Sequence, residues 1–142
     1  MNTLHSILVH LDGTARAETR LQFAQLLAQT HQCAMTAMFA VTPPVLPALA
    51  LPGGLPAMPM RGPIDPDHRA RALAMFERSL QHSPVRSDWQ ELRGEPVTET
   101  FVRRALTADL MVLGQRDPLD ASGFDVPGDS PKRHCSAVAS RR

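Results

Sequence analysis

The stretch Ile-Leu-Val-His-Leu-Asp-Gly-Thr, residues 7–14, decides the fold because it joins a buried strand to a tight turn. Residues 7–11 form a nearly continuous apolar run, which is typical of a strand covered on both faces in a parallel sheet. Asp12 and Gly13 then turn the chain. Over 15–29 apolar residues recur at helical spacing, which predicts a helix with a buried stripe. That stripe consists of Ala17, Leu21, Ala24 and Ala28, widened by Leu27.

The next residues complete one strand–helix–strand unit. Thr14 is the predicted N-cap of the first helix, because its hydroxyl is a good acceptor for free helix N–H groups. The apolar segment 34–41 is the predicted second strand. A strand, a helix and a second strand within about 30 residues predict a parallel pair.

The second half of the chain continues the alternation. Asp65 and Pro66 are an N-cap and N1 pair that predicts the start of a second helix. One side of this helix carries Arg69, Leu73, Phe76 and Leu80.

An outer strand is predicted over 85–92, with Trp89 as its anchor. Gly94 and Pro96 precede a third helix, whose predicted buried stripe is Val97, Phe101 and Ala105. Residues 109–114 are the fourth predicted strand. This order predicts a three-layer α/β domain, an open and mostly parallel sheet with helices on both faces.

Composition narrows the class of protein. The chain has 142 residues and a formal charge of +1, which fits one domain with a sizeable core. No clustered basic face is evident, so we expect neither nucleic acid nor a membrane as partner. Cys33 and Cys135 are too few for a disulfide framework, and no targeting segment is evident at the start. We therefore expect a cytoplasmic protein.

The segment 42–66 is unusual because it holds eight of the thirteen prolines. A connection this long inside a compact domain is functional or lacks fixed structure in most proteins. One interpretation is a polyproline-like surface connection. The other is a lid or a partner-binding arm over 42–60, since its leucines and methionines would otherwise face water.

The sequence offers no set of residues for catalysis or metal binding. The neighbouring pairs His31–Cys33 and His134–Cys135 lack the spacing of a zinc site. The serines lack a nucleophile elbow, and His10 is interpreted as a hydrogen-bonded core histidine. Asp109 begins its strand and is expected at the opposite edge of the sheet from Asp12. We therefore favour a protein without enzymatic activity.

Three motifs in order resemble the universal stress protein family. They are "ILVHLDGT" at 7–14, "GEP" at 94–96 and "ADLMVLG" at 108–114, and the resemblance covers 4–117. It implies a flavodoxin-like sheet with strand order 3-2-1-4-5 and dimers. In one branch of the family it also implies ATP or AMP bound at the carboxyl edge.

The resemblance also implies a place for the nucleotide. In a sheet of this order a crevice opens between the carboxyl ends of the first and fourth strands. By resemblance, Asp12 contacts the adenosine part, Val41 meets adenine through its backbone, and Gly114 is the first glycine of the phosphate loop. The nucleotide-binding residues proposed at this stage are Asp12, Gly13, Val41, Gly114, Gln115 and Arg116.

The chain departs from the family's phosphate loop. Asp117 stands in the place of the second glycine, and its charge would repel a phosphate. Pro127 stands where a later glycine is expected, although Arg116 offers one phosphate contact. We therefore predict a degenerate nucleotide site with no certain cofactor, ATP or AMP being the candidates.

The C-terminal part departs from the family as well. No apolar fifth strand follows 125, so we expect that strand to be absent or displaced, and the chain to be truncated or read in a shifted frame there. The predicted division is an α/β domain over 1–128 with the proline-rich insertion 42–66, and a disordered basic tail over 129–142.

Three functional hypotheses follow. The first is a non-enzymatic stress-response module with a degenerate site, acting through dimer or partner contacts along 42–60. The second is an ATP- or AMP-binding sensor, for which Asp12→Ala is expected to abolish ligand stabilisation and leave the unliganded melt almost unchanged. The third is an unstable gene product, suggested by the tail.

Overall fold

The computed structural model describes residues 4–43, 45–46, 60–92 and 97–114. Within these ranges helices and strands alternate along the chain. In chain order the elements are β1 (Ser6–Leu11), α1 (Arg16–His31), β2 (Ala34–Phe39), β3 (Val45–Leu46), β4 (Met60–Arg61), α2 (Pro66–Leu80), β5 (Ser87–Glu91), α3 (Val97–Ala105) and β6 (Leu110–Val112).

Four of the strands form one parallel sheet in the order β5-β2-β1-β6. The register pairs Ile7 of β1 with Met35 of β2 on one side and with Leu110 of β6 on the other. Counting only the long predicted strands, this is the order 3-2-1-4, so the predicted α/β class and strand order are confirmed. The expected position of a fifth strand lies beyond 114, outside the described residues.

The sheet is covered on both faces, which explains the continuous apolar run of β1. Ile7, Val9 and Leu11 belong to the core cluster formed with α1 and α2. Leu8 belongs to the cluster on the other face, where it packs with Phe101 of α3. Because successive residues of a strand point to opposite faces, every position of β1 must be apolar or fully hydrogen-bonded.

Helix α1 buries the four predicted residues, Ala17, Leu21, Ala24 and Ala28. The small alanines let the helix lie close to the sheet. The predicted cap is wrong: the N-cap is Ala15, which makes no side-chain cap bond. The Thr14 hydroxyl instead donates to the Asp12 carboxylate.

Helix α2 begins as predicted, because the Asp65 carboxylate accepts a hydrogen bond from Asp67 N at 2.9 Å and Pro66 follows it. Of the four residues that the sequence places on one side of α2, Phe76 is buried and Leu73 is half-buried. The buried residues of α2 are His68, Ala72, Met75 and Phe76, whereas Arg69 is exposed and 40% of Leu80 is accessible.

Two contacts explain the orientation of α2. Phe76 packs against Trp89 with ring centroids 5.4 Å apart, and Arg69 forms an ion pair with Glu91 at 2.5 Å. Both partners lie on β5, so one side of the helix carries Arg69 out to the rim. The smaller Ala72 is then turned toward the sheet, where close approach favours it.

Strand β5 is an outer strand anchored by Trp89, as predicted. The indole stacks on Phe39 of β2 with centroids 6.1 Å apart and an interplanar angle of 19°. Its Nε1 donates to Glu91 Oε1 at 3.1 Å, so the polar end of the ring is satisfied. Such aromatic pairs add to the stabilisation that area burial supplies.

The two described parts of the proline-rich segment pair with each other. β3 and β4 are antiparallel, with Val45 opposite Arg61 and Leu46 opposite Met60. The chain just before 47–59 and the chain just after it therefore lie side by side. Residues 47–59 themselves lie outside the described residues. In the part of the chain that the structure describes, no helix has the length and apolar character needed to cross a membrane.

Candidate functional site: the β1–β6 crevice

The order of the sheet brings the carboxyl ends of β1 and β6 side by side, where a crevice is expected. After β1 the chain enters α1 on one face, and before β6 it leaves α3 on the opposite face. Ligands of open α/β sheets bind where connections diverge in this way. Asp12 follows β1 directly, and Gly114 lies two residues after β6.

Asp12 is buried, with 2% of the residue accessible, and both of its carboxylate oxygens are engaged. Oδ1 accepts from the Thr14 backbone N–H at 3.0 Å and from the Thr14 hydroxyl at 2.5 Å. Oδ2 lies 2.7 Å from Nη2 of Arg20. The backbone hydrogen bond closes a tight turn of the aspartate type, which is why the chain reverses at Asp12-Gly13.

Arg20 reaches the crevice from the second turn of α1, and only 11% of its side chain is accessible. Its Nε donates to the backbone carbonyl of His10 at 3.2 Å. Nη2 is fully buried and makes no well-aligned hydrogen bond within the described residues, although it is close to Asp12. The Arg20–Asp12 contact is therefore an ion pair with one poorly used donor.

At two of the predicted site glycines, neighbouring residues leave no room for a side chain. A Cβ on Gly13 would lie 2.6 Å from Cβ and 2.7 Å from Cα of His68, so α2 approaches the turn closely. A Cβ on Gly114 would overlap the Arg20 guanidinium, with its Cζ 2.5 Å away. Neither glycine has the left-handed backbone that would require glycine for conformational reasons.

His10 lies beneath the crevice as a buried, satisfied histidine, which agrees with the sequence interpretation. Its Nε2 is 2.7 Å from the Ala40 carbonyl, and its ring meets Phe101 edge-on with centroids 5.6 Å apart. Because a carbonyl only accepts, Nε2 carries the proton in this hydrogen bond. Burial lowers the pKa of His10 below its ordinary value, despite the attraction of Asp12.

The Asp12 carboxyl is held in its charged form. Burial alone raises its pKa, but the Arg20 guanidinium, together with His10 and the Thr14 hydrogen bonds, brings the pKa below the ordinary value. Arg20 supplies the largest of these favourable effects. The crevice therefore holds a carboxylate whose charge is already compensated by a side chain of the same domain.

Of the remaining predicted site residues, the structure describes Val41. Val41 follows β2 and is buried in the core cluster on the α1 and α2 face. Gln115, Arg116 and Asp117 lie outside the described residues, so their predicted roles stay predictions. Asp109 lies at the opposite edge, as expected, and accepts from His5 N at 2.8 Å and Ser6 N at 3.0 Å.

Sequence reasoning missed Arg20, although the sequence contains a signal for it. Arg20 is three residues after Ala17 and four before Ala24, so it lies on the buried stripe of α1. A cation on a buried stripe needs a partner, because burial of an unpaired charge is strongly unfavourable. The buried Asp12 is that partner.

A cavity of about 550 Å³ lies between the start of α1 and α2. Gly13, Thr14 and Ala15 line one side, and α2 contributes Arg71 and Arg78. Within the described residues, no group of three or more His, Cys, Asp or Glu side chains is placed to hold a metal ion.

Comparison with solved structures identifies the architecture. A universal stress protein family structure from Burkholderia pseudomallei matches with a TM-score of 0.54 at 22% identity, over 82% of this chain and 85% of that chain. Universal stress protein UspA from Lactobacillus plantarum matches with a TM-score of 0.60 at 18% identity, over 97% and 94% of the two chains.

The chain has the universal stress protein fold. A third solved structure of this fold, a universal stress protein in complex with cAMP, has a TM-score of 0.58 at 17% identity, over 99% of this chain and 91% of that chain. No family model matches the sequence, and no curated protein is significantly similar to it. The universal stress protein fold thus rests on topology and on the structural matches.

Proposed function

We propose that the chain is a non-enzymatic stress-response module of the universal stress protein type whose crevice holds no nucleotide at rest. The observation that carries this proposal is the position of Arg20. Its guanidinium lies between Asp12 and Gly114, which are the two described residues expected to meet the adenosine and phosphate parts of a nucleotide.

Electrostatics supports the same proposal. The Asp12 carboxylate is already neutralised by Arg20 and bonded to Thr14, so a ligand gains little by approaching it. The ligand would also have to replace an ion pair in which both partners are largely buried, and breaking such a pair is costly. The aspartate at 117 adds a charge that opposes phosphate.

A thermal melt with and without nucleotide tests the proposal. ATP, AMP and cAMP are each added at up to millimolar concentration, and unfolding is followed by the fluorescence of Trp89, the single tryptophan in a chain without tyrosine. A site filled at about a thousandfold its dissociation constant would add roughly 4 kcal/mol. We expect no shift. A rise of several degrees in the melting temperature with any of the three nucleotides would refute the proposal that the crevice holds no nucleotide at rest.

The function we assign to such a module is contact with a second copy or with another protein through the arm 42–60. The antiparallel pairing of β3 with β4 supports this, because it holds the two ends of the arm together. The segment 47–59 can therefore be replaced by a short glycine linker without separating β3 from β4.

Light scattering after size-exclusion chromatography compares the full chain with this linker variant. We expect the full chain to form a dimer and the variant to be a monomer with an unchanged melt. If the variant had the same assembly state as the full chain, the arm would not form the dimer contact.

The second candidate is an adenine-nucleotide sensor. The universal stress protein solved with cAMP supports it, because that protein shares the fold at a TM-score of 0.58. The melt experiment separates the two candidates directly, since only the sensor gains stability from a nucleotide.

A further inference from the structure

We propose that the cavity between α1 and α2 is a docking site for the acidic segment Asp117-Pro118-Leu119-Asp120 of the same chain, whose two carboxylates pair there with Arg71 and Arg78. The residues that line the cavity are described by the structure, whereas 117–120 lie outside the described residues. This inference goes beyond the proposed function, because it concerns a cavity other than the crevice and does not depend on whether a nucleotide binds. It also gives a role to the aspartate at 117.

The cavity is basic, because Arg71 and Arg78 line it and none of its described lining residues is acidic. Both arginines are exposed, and neither forms an ion pair in the part of the chain that the structure describes. Arg69 of the same helix differs, since its guanidinium pairs with Glu91. Two guanidinium groups without a counter-charge on one wall favour an occupant that carries two carboxylates.

The wall between the two arginines is apolar. Ala74 and Met75 of α2 line it, and Ala15 contributes from the start of α1. A small hydrated ion gains nothing from such a wall, whereas an apolar side chain placed against it leaves water. The occupant should therefore carry apolar residues between its charges, as the acidic segment does with Pro118 and Leu119.

The cavity lies between two contacts that join α1 and its preceding turn to α2. At one end α2 approaches so closely that a Cβ on Gly13 would lie 2.6 Å from Cβ of His68. At the other end Gln25 Nε2 donates to the Ser79 carbonyl at 3.3 Å. The lining residues of α2 lie between positions 68 and 79, so both walls are fixed before anything docks.

The spacing of the two arginines matches the spacing of the two aspartates. Arg71 and Arg78 are seven positions apart, which places them on one side of α2 and about 10 Å apart along its axis. Pro118 fixes its own φ and favours an extended or polyproline II backbone for the residue before it. In polyproline II the chain makes one turn in three residues, so Asp117 and Asp120 would lie on one side, about 9 Å apart.

The chain that leads to the acidic segment leaves β6 near the cavity. Gly114 lies against the guanidinium of Arg20, and that guanidinium pairs with Asp12. The next residue, Gly13, lines the cavity. An extended chain spans about 3.5 Å per residue, so positions three and six residues after Gly114 reach roughly 10 and 20 Å.

Tethering makes weak ion pairs sufficient for docking. Each pair between an exposed arginine and a carboxylate is weak by itself. A segment attached to the domain by a short stretch of chain has an effective concentration in the millimolar range. The acidic segment of the same chain is therefore favoured over an acidic peptide of another protein, which would have to reach that concentration in solution.

Disulfide trapping in the full chain tests the docking. Ala74→Cys places a thiol in the cavity wall, Leu119→Cys places one in the acidic segment, and Cys135→Ser removes a competing thiol. Cys33 is kept, because it is buried and burial raises the pKa of its thiol, which slows its reaction. Glutathione redox buffers then give the effective concentration of the trapped pair.

The control pair joins Leu119→Cys to Arg103→Cys. Arg103 is exposed on α3, and α3 packs on the other face of the sheet from α1 and α2. We expect the effective concentration of the cavity pair to exceed that of the control pair at least tenfold. We also expect it to fall when sodium chloride is raised from about 0.05 to 1 M, since salt screens exposed charges.

Charge reversal separates docking from mere proximity along the chain. Arg71→Glu with Arg78→Glu should lower the effective concentration of the cavity pair at least tenfold, because like charges then face each other. Asp117→Lys with Asp120→Lys in the same chain should restore it. Both arginines are exposed, so the reversal should leave the fluorescence melt of Trp89 cooperative.

The matched control for the reversal is Arg103→Glu with Arg104→Glu, which makes the same change at exposed positions of α3. We expect this control to leave trapping of the cavity pair unchanged.

Three results would overturn the docking. The first is equal trapping of the cavity pair and the control pair. The second is a disulfide that forms between two chains, seen as a dimer after non-reducing electrophoresis, because the occupant would then be a second copy. The third is trapping that neither salt nor charge reversal changes. None of these measurements includes a nucleotide, so failure of the docking leaves the proposed function to its own melt experiment.

Discussion

Gly114 and Arg20 are in close contact although they are 94 positions apart in the chain, and a Cβ at 114 would overlap the guanidinium. All three nearest atoms to a Cβ at 114 belong to Arg20. The backbone of Gly114 is not left-handed, so alanine is conformationally acceptable there. The two positions must therefore be energetically coupled.

A double-mutant cycle measures this coupling. Gly114→Ala should destabilise the wild type by about 1 kcal/mol, at the low end for overpacking, because the Cβ meets the end of a long side chain that Asp12 holds in place. In the Arg20→Ala background the same change should cost only a few tenths of a kcal/mol. Urea denaturation followed by Trp89 fluorescence supplies the four free energies of unfolding. An equal loss of stability in both backgrounds would mean that the alanine at 114 clashes with a group other than Arg20.

The Arg20–Asp12 ion pair should dominate the effect of changing either residue alone. Arg20→Ala or Asp12→Ala leaves one largely buried charge unpaired, which costs about 3–5 kcal/mol. This differs from the sequence-based expectation that Asp12→Ala leaves the unliganded melt unchanged, because that expectation did not include the burial of Asp12. The double variant Arg20→Met with Asp12→Asn removes both charges.

We expect the double variant to recover most of the lost stability, since apolar replacement of a buried pair is close to neutral in many proteins. Thermal and urea unfolding of the three variants provide the comparison. A double variant as unstable as Arg20→Ala would show that packing, and not charge, holds the side chain in the crevice.

His10 should make the stability depend on pH below neutrality. Its pKa is lowered by burial, so the folded state favours the neutral ring and the unfolded chain binds the proton more readily. The stability that the neutral His10 ring contributes is therefore fully present above about pH 6.5, the ordinary histidine pKa. It is lost as the pH falls below that value. Protonation would add a second positive charge beside Arg20.

His10→Gln keeps a donor for the Ala40 carbonyl and removes the titration. We expect this variant to be less stable at neutral pH but to lose less stability than the wild type between about pH 7 and 5. Denaturant midpoints across that range test the slope, and the NMR shift of the imidazole reports its protonation directly. Equal slopes in the two proteins would exclude His10 as the titrating group.

The end of α1 offers a stabilising substitution. Gln32 adopts a left-handed conformation with φ of 51° and ψ of 42°, and its N–H reaches the carbonyls of Ala28 and Gln29. Residues with a Cβ are strained there, by roughly 1–2 kcal/mol. Gln32→Gly should relieve this strain and raise stability by about 1 kcal/mol, less the added entropy of the unfolded chain.

Gln29→Gly is the matched control for that change. Gln29 lies inside α1 on its exposed side, where glycine costs about 1 kcal/mol relative to good helix formers. The two substitutions should therefore shift the midpoint of thermal unfolding in opposite directions. A fall in both midpoints would contradict the strain assigned to Gln32.

Much of the fold could be predicted from the sequence because the relevant signals are local. The apolar run of β1, the alanine stripe of α1 and the Asp65–Pro66 start of α2 each depend on neighbours within a few residues. Signals from such neighbours are enough to predict a parallel strand buried on both faces and the capped start of a helix. The strand order was implied by the family resemblance, and the order 3-2-1-4 is confirmed.

The orientation of α2 depended on contacts that no local pattern contains. Both faces of α2 carry apolar residues, so the spacing alone allowed Leu73 and Leu80 to be buried in place of Ala72 and Met75. The partners Trp89 and Glu91 on β5 decide between them. These partners come from a different element of the fold.

What the sequence by itself determined was the set of strands and helices and the edge at which a site would lie. Only the tertiary structure decided what occupies that edge. Asp12, Arg20 and Gly114 belong to a turn, a helix and the end of a strand, and they meet because β1 and β6 are neighbours in the sheet. A charge on a buried stripe demands a partner, but only the folded chain shows which partner it finds.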